Sequence, residues 1–126
     1  MELTLEKINI RSDPYQVFLD SLTNPYTQKR YRNLLHAFLK LVPDQIYEEF
    51  LGKIPCDRTP SALAGIFVEL ARKDMDMASD IIATYIKEDK KRVERGEINS
   101  QTRPNHIKPI RSLLDANRVP IRWKYC

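Results

Sequence analysis

Three capping residues, each followed directly by proline, divide this chain into helices. Ser, Thr, Asp or Asn can accept a hydrogen bond from the first turn of a helix, and proline suits the first helical position because no N–H partner exists there. With only three glycines among 126 residues, the sequence favours helices over strands. The pairs are Asp13-Pro14 (with Ser12 as the other candidate cap), Asn24-Pro25 and Thr59-Pro60.

Apolar residues recur at spacings of three and four after these signals, as they do on the buried face of a helix. The stripes are Val17, Phe18, Leu22; Tyr31, Leu34, Leu35, Phe38, Leu39, Val42; Leu63, Ile66, Phe67, Leu70; Met77, Ile81, Ile82, Tyr85, Ile86; and Ile107, Ile110, Leu113, Leu114. Because each stripe needs a partner, the sequence predicts an all-α fold: one small bundle of five to six helices.

Helix ends are marked as clearly as helix starts. Pro43 should end the second helix, Gly52 should close the short third one, and "KIPCDR" reads as a loop. A break is expected near "KDMDM", and Gly96 suits a left-handed C-cap. Ser100 or Thr102 should start the last helix, and "RVPIRW" after Asn117 should be extended. We expect residues 1–12 to form a flexible arm and residues 13–126 to form the domain.

Two prolines interrupt the last helical pattern. Pro104 is tolerable if Thr102 caps the helix, because the first turn lacks N–H partners. Pro109 lies deeper, where it removes one hydrogen bond and presses on the carbonyl of Asn105. The sequence therefore predicts a bent helix whose N-terminal part tips toward a ligand.

Charge alternates along the chain although the net charge is only +4. Residues 1–23, 24–42, 43–86 and 87–126 carry net charges of −2, +4, −4 and +6. If the fold brings the two basic segments together, they make a positive face that attracts polyanions. The alternative, that the two basic segments are simply solvated helix faces, stays open at this point.

Motifs for catalysis and metal binding are missing from the sequence. We find no P-loop, GxGxxG, HExxH or nucleophile elbow, and Glu48 and Glu49 point apart on a helix. His36 and His106 read as surface or capping residues, and Cys56 as an incidental reduced thiol. A hydrolase using Cys56 and a histidine is the remote alternative. No enzyme, cofactor or metal is expected, nor a membrane span or secretory signal, so we expect an intracellular, cytoplasmic protein.

Two stretches in a fixed order resemble the N-terminal core-binding domain of tyrosine recombinases, the phage-integrase family, in its archaeal integrase-like form. The first is "NPYTQKRYRNLLHAFLKLV", with a threonine, a tyrosine four residues on and an apolar ladder. The second, about sixty residues later, shares residues with a pattern that recurs in the family. They are Tyr85, Ile86, Lys87, Arg95, Gly96, Glu97, Ile98, Thr102, Ile107, Lys108, Pro109, Ile110, Asn117, Val119, Ile121 and Trp123.

The resemblance implies a SAM-like helical bundle that forms one jaw of a clamp around duplex DNA, in site-specific recombination or integration. In that family a separate C-terminal domain supplies the catalytic arginine, lysine, His-x-x-Arg and tyrosine. This chain stops where that domain would begin, so Tyr125 is not the nucleophile and this chain is not expected to be an enzyme. Ending on "WKYC" favours a fragment over a protein that kept only the binding jaw.

Expected DNA contacts lie in the first turns of two helices. Helix N-termini with free N–H groups suit phosphates, and Lys and Arg add salt-dependent attraction. Forked donors, Gln28, Gln101, Arg103 and Asn105, are the candidates for base edges. First-turn solvation of Gln28 and Gln101, and capping by Thr27 and Thr102, are the bland alternatives. The full set is Thr27, Gln28, Lys29, Arg32, Gln101, Thr102, Arg103, Asn105 and Lys108.

The remaining basic residues and the tryptophan are expected to have structural roles. Lys90, Lys91, Arg92 and Arg95 should form a solvated face with pairs such as Glu88–Arg92, and Trp123 should plug the core. The resemblance implies duplex DNA and other recombinase protomers as partners, and a nucleoid-associated protein. The competing hypothesis is a protein-interaction module whose acidic segment, residues 43–86, carries the interface with Met75 and Met77 as adaptable contacts.

Overall fold

The computed structural model describes residues 13–99 and 103–121, with side chains for 13–99 and 106–121. Within these ranges the chain forms six α-helices and no strand, so the predicted small all-α bundle is confirmed. None of these helices is long and apolar enough to cross a membrane. The expected arm, residues 1–12, and Trp123 lie outside the described residues. The helices are α1 (Pro14–Asp20), α2 (Pro25–Leu39), α3 (Asp44–Leu51), α4 (Pro60–Lys73), α5 (Met75–Glu94) and α6 (Arg103–Ala116).

All three predicted cap-proline pairs begin helices. In each case the capping side chain accepts a hydrogen bond from a first-turn N–H, and the proline occupies the first helical position. The bonds are Tyr15 N to Asp13 Oδ1 (3.1 Å), Tyr26 N to Asn24 Oδ1 (2.9 Å) and Ala62 N to Thr59 Oγ1 (3.3 Å).

Asp74 makes the predicted break between α4 and α5. Its N–H donates to the Leu70 carbonyl at 2.8 Å, which closes α4. Its carboxylate accepts from the Met77 N–H at 3.0 Å, which caps α5. One residue therefore ends one helix and starts the next, and the chain turns without a loop.

Helix α4 forms the centre of the bundle. Seven of its side chains are buried, far more than a single stripe would provide, and it packs against α1, α2, α3 and α5. The Phe67 and Phe38 rings meet edge to face at 5.4 Å. The buried residues of α4 are Leu63, Ala64, Ile66, Phe67, Val68, Leu70 and Ala71.

Helix α6 closes the bundle against α1, α2 and α5. Ile110, Leu113 and Leu114 are fully buried, as predicted, while Ile107 is half-buried. After the helix, the buried Asn117 side chain donates to the Pro14 carbonyl at 3.0 Å. Asn117 thereby ties the end of the last helix to the start of the first.

Helix α2 ends four residues before Pro43, contrary to the expectation that the proline ends it. The Lys40 N–H still donates to the His36 carbonyl, but the next two N–H groups donate only three residues back. Pro43 instead precedes α3 as its N-cap, without a side-chain hydrogen bond. The tightened turn leaves Leu41 67% exposed.

Gly96 ends α5 as the sequence predicted. Its φ is +75°, in the left-handed region that favours glycine. The Glu97 N–H donates to the Arg92 carbonyl at 2.9 Å and the Gly96 N–H to the Val93 carbonyl at 3.0 Å. These two bonds form a Schellman motif, which satisfies carbonyls that the helix end leaves open.

Arg118 ends α6 in the same way but without a glycine. Its φ is +58°, and the Val119 N–H donates to the Leu114 carbonyl at 2.9 Å. The expectation that the chain is extended directly after Asn117 is therefore wrong at Arg118. The helix carbonyls need the left-handed turn to find donors, and this need overrides the alternating sequence pattern.

Arg118→Gly is expected to raise the free energy of unfolding by about 1 kcal/mol, because glycine adopts the left-handed region without a Cβ clash. The gain is reduced by the greater freedom of glycine in the unfolded chain. Urea denaturation measures the change. Gly96→Ala is the reciprocal variant: no atom lies within 4 Å of the added Cβ, so any loss reports the backbone alone. Equal stability of both variants and the wild type would contradict the strain.

Helix α6 runs without interruption through Pro109, which is buried. A proline at this depth removes the hydrogen bond that its N–H would have made to the Asn105 carbonyl. The first turn is therefore joined to the rest of the helix by fewer bonds. The predicted bend at Pro109 stays a prediction.

Tyr47 carries a buried hydroxyl without a partner. The side chain is fully buried on α3, and its Oη forms no hydrogen bond within the described residues. Burial raises the pKa of Tyr47 well above its ordinary value, partly offset by the nearby Arg58 guanidinium. The hydroxyl is therefore held neutral and unpaired in the core.

Tyr47→Phe is expected to stabilise the fold by about 1 kcal/mol at pH 7, because an unpaired buried hydroxyl disappears. The wild type should also lose stability above pH 10, where tyrosine ionises in the unfolded chain but stays protonated in the fold; the variant should lose less. Urea titrations at pH 7 and pH 10.5 measure both effects. Tyr26→Phe, at a side chain 74% exposed, is the control. A destabilised Tyr47→Phe would show that the hydroxyl has a partner.

Candidate nucleic-acid interface

Helix α2 carries an uncompensated positive charge in its N-terminal half. Lys29, Arg30 and Arg32 are exposed, and the helix contains no Asp or Glu. None of the three pairs with a carboxylate among the described residues. Because acids, not bases, are favoured near a helix N-terminus, this arrangement is unfavourable for an isolated helix.

Five basic residues elsewhere in the described chain pair with carboxylates. The loops around α3 and the C-terminal end of α5 each hold bases against carboxylates, so their fields largely cancel. Helix α2 differs from these regions in that it contains no carboxylate at all. The pairs are Lys53–Glu69 (2.7 Å), Arg58–Asp44 (3.0 Å), Lys91–Glu88 (3.3 Å) and Arg95–Glu97 (3.5 Å).

Helix α2 packs directly against α6, so the helices that carry bases from the two basic segments are neighbours. Charge on α6 is also reversed relative to its macrodipole: Arg103 and Lys108 lie in its first two turns and Asp115 in its last. Lys108 is exposed and has no carboxylate partner in the described ranges. Segments that the sequence separates by about 45 residues therefore share one helix–helix junction.

Thr27 and Gln28 are half-buried at the start of α2. The Gln28 side-chain amide donates to the Leu19 carbonyl at 3.0 Å, so one of its N–H groups satisfies the end of α1. Burial raises the pKa of the Tyr15 hydroxyl on α1, and the nearby Arg32 guanidinium opposes that shift. Gln28 thus joins α2 to α1, Arg32 lies close enough to affect Tyr15, and Lys29 faces solvent.

The first-turn amides of α2 are not free for a phosphate. Asn24 Oδ1 accepts from the Tyr26 N–H (2.9 Å) and more weakly from the Thr27 N–H (3.4 Å). The Gln28 N–H donates to the Asn24 carbonyl at 2.9 Å, and Pro25 has no N–H. The expectation of open backbone donors at this helix end is therefore wrong. An anion here would contact side chains.

The second predicted cluster is only partly described. Arg103 and Asn105 begin α6 as helical backbone, and their side chains lie outside the described residues. Gln101, Thr102 and the alternative start Ser100 lie outside them too. Of the predicted contacts on α6, Lys108 is placed on the surface; His106, which was not among them, lies on the inner side.

Sequence reasoning missed a buried hydrogen bond between an acid and a histidine behind this cluster. The Asp89 carboxylate on α5 is only 1% exposed, and its Oδ2 lies 2.9 Å from Nδ1 of His106, which is 13% exposed. Arg92 Nη1 lies 3.7 Å from the other carboxylate oxygen. His106 is therefore a core-facing partner of Asp89, and the interpretation as a surface or capping residue is wrong.

Tyr85 lies one helical turn before Asp89. Burial raises the pKa of Tyr85 to about 12, and the charge of Asp89 adds to the shift. Asp89 lies three residues after Ile86 and four after Tyr85, so it continues the apolar stripe of α5. This spacing was the sequence signal that could have indicated its burial. The expected pair Glu88–Arg92 is also wrong: Glu88 pairs with Lys91, because Arg92 turns toward Asp89 and Glu97.

An apolar groove of about 430 Å³ opens at the other end of α2. Helices α2, α3 and α5 form its walls, the exposed Leu41 lies at its edge, and Asp80 and Glu88 add negative charge. Met77 contributes to it, whereas Met75 does not. The lining is Phe38, Leu41, Val42, Pro43, Ile46, Met77, Asp80, Ile81, Thr84, Tyr85 and Glu88.

Other reactive groups are dispersed. His36 Nε2 lies 3.3 Å from the Arg58 carbonyl, and Cys56 is exposed on its loop. No cluster of three or more metal-ligating side chains occurs in the described part of the chain.

Comparison with known proteins adds nothing to this picture: no family model, curated protein or solved structure matches the chain. The resemblance to integrases therefore remains a hypothesis based on the residues quoted above.

Proposed function

We propose that this chain binds duplex DNA through the surface where α2 and α6 meet. The observation that carries the proposal is the packing of α2 against α6, which makes neighbours of helices from the basic segments at residues 24–42 and 87–126. Lys29, Arg30 and Lys108 contribute exposed charge that no described carboxylate neutralises.

Double-stranded DNA suits such a surface because it carries closely spaced phosphates along its backbone. Each Lys or Arg that neutralises a phosphate releases counterions, so affinity falls linearly with the logarithm of salt concentration. The bases of α2 form no competing ion pairs within the described ranges, so they remain available to phosphates without first breaking an internal contact. Amide and hydroxyl groups such as Thr27 can add register-setting contacts.

The more specific form of the proposal is a non-catalytic core-binding domain of a tyrosine recombinase, acting in site-specific recombination or integration. The quoted resemblance and the all-α bundle support it. Other recombinase protomers would then be partners on the same DNA. Catalysis would belong to a different domain, because the residues that the family uses for strand transfer are not found in this sequence.

Lys29→Glu is expected to weaken duplex binding roughly tenfold near 0.1 M salt and to reduce the slope of log K against log salt by about 1. Fluorescence anisotropy with a labelled duplex across a salt series measures both. Lys53→Glu is the matched control: it makes the same charge change, but at a lysine already paired with Glu69. If both variants lost the same affinity for the duplex, the effect would come from net charge alone. Wild-type binding that does not depend on salt would refute the proposal.

A second candidate function, a protein-interaction module, is favoured by the apolar groove. Its leucine and methionine surface with flanking Asp80 and Glu88 complements an amphipathic helix that carries apolar anchors and basic flanks. Seven of its eleven lining residues belong to the acidic segment, residues 43–86, which supports a basic partner. Leu41 at 67% exposure is apolar area that such a helix would cover.

A leucine–lysine model peptide of about 14 residues with helical spacing is expected to shift the methyl resonances of Met77 and Ile81. Leu41→Ser should weaken binding without unfolding the protein, because this side chain is largely exposed. Methyl NMR titration measures both. The same peptide with glutamate in place of lysine is the control. Equal binding of the two peptides, or shifts outside the groove, would count against this function.

A further inference from the structure

Asp89 is the one buried charged side chain in the described part of the chain. Its carboxylate lies between α5 and α6, with one oxygen 2.9 Å from His106 Nδ1 and the other 3.7 Å from Arg92 Nη1. Removing a carboxylate from water is unfavourable unless partners are fixed around it. An apolar residue would serve the packing of this stripe position equally well, so the carboxylate calls for another explanation.

The pair anchors a specific part of α6. His106 is the fourth residue of the helix, so its contact with Asp89 holds the first turn against α5. The other end of the helix is held separately, by Asn117, whose carbonyl accepts from Arg72 Nη2 at 3.1 Å and whose amide reaches Pro14. Two polar ties at opposite ends therefore fix the direction of α6.

Pro109 makes the tie at the first turn more important. Proline has no N–H to donate to the Asn105 carbonyl, so one of the hydrogen bonds joining the first turn to the rest of α6 is missing. The side-chain contact at His106 provides an attachment that does not depend on that bond. Arg92, whose Nε lies 3.7 Å from Glu97 Oε2, extends the same charge cluster to the turn that ends α5.

We infer that Asp89 is a positioning residue for the proposed DNA interface: through His106 it holds the first turns of α6, which carry the exposed Lys108, in the orientation that meets the phosphates. The inference rests on the proposed function. Asp89 itself is buried and touches no ligand. Its negative charge would repel DNA, so a favourable effect on binding has to act through position.

Electrostatic repulsion and positioning predict opposite changes in DNA affinity when Asp89 is neutralised, so the direction of the change distinguishes them. Asp89→Asn and the neighbouring Glu88→Gln remove the same charge from the same helix, but Glu88 is exposed and contacts only Lys91 among the described residues. Electrostatics alone tightens duplex binding in both variants. Positioning predicts that Asp89→Asn weakens binding about five- to tenfold, with a salt slope smaller by about 1, while Glu88→Gln binds as well as the wild type or better.

A second pair of variants separates positioning from folding. His106→Asn keeps an N–H donor near the position of Nδ1, whereas His106→Leu has a similar size and no donor. We expect His106→Asn to restore most of the affinity that His106→Leu loses. Circular dichroism melts fix a temperature at which every variant is folded, and anisotropy is measured there.

Amide hydrogen exchange tests the tie without DNA. In Asp89→Asn, exchange should accelerate for amides of residues 105–108 and stay unchanged for residues 113–116, which the core holds. Tighter binding by Asp89→Asn, or equal binding by both His106 variants, overturns the inference while leaving DNA binding intact. Absence of salt-dependent binding in the wild type overturns the proposed function, and with it the role of Asp89 at a DNA interface, whatever the exchange shows.

Discussion

Helix α4 has too many apolar side chains to lie on a surface, and its burial determines where the other helices are placed. Full burial of each Leu, Phe, Val or Ile stabilises the fold by about 1.5–3 kcal/mol, so covering seven positions on one helix outweighs any single polar contact. Four helices pack around it, and α6 closes the bundle against α1, α2 and α5. The position of the basic surface is a consequence of this packing.

Helix α6 combines two tasks that place opposite demands on it. Its inner face, with Ile110, Leu113 and Leu114, must be rigidly packed, while its first turns carry bases that repel the positive end of their own helix dipole. The Asp89–His106 contact offsets this repulsion, because it attaches the first turn to α5 and places the negative Asp89 carboxylate beside the positive end of the helix dipole. Polar contacts at both ends and an apolar middle hold α6 against the bundle along its length.

Much of the fold could be predicted from local chemistry. Cap-proline pairs at Asn24 and Thr59, the left-handed glycine at Gly96 and the break at Asp74 all lie where the sequence indicated, because each depends on backbone groups within a few residues. The site was less predictable. Bases on α2 could be recognised in advance, but the loss of its first-turn amides to Asn24 required the hydrogen-bond geometry.

The sequence by itself determined the helices, their apolar faces and the alternation of basic and acidic segments, since periodicity and charge are local properties. Only the tertiary structure decided that α2 lies against α6, that Asp89 is buried and paired with His106, and that Arg118 adopts a left-handed turn. Asp89 and His106 are 17 residues apart in the sequence, and α2 and α6 are farther apart still. The turn at Arg118 forms because the carbonyls at the end of α6 need hydrogen-bond donors. Such choices follow from which surfaces the buried α4 leaves available, and no local pattern encodes that.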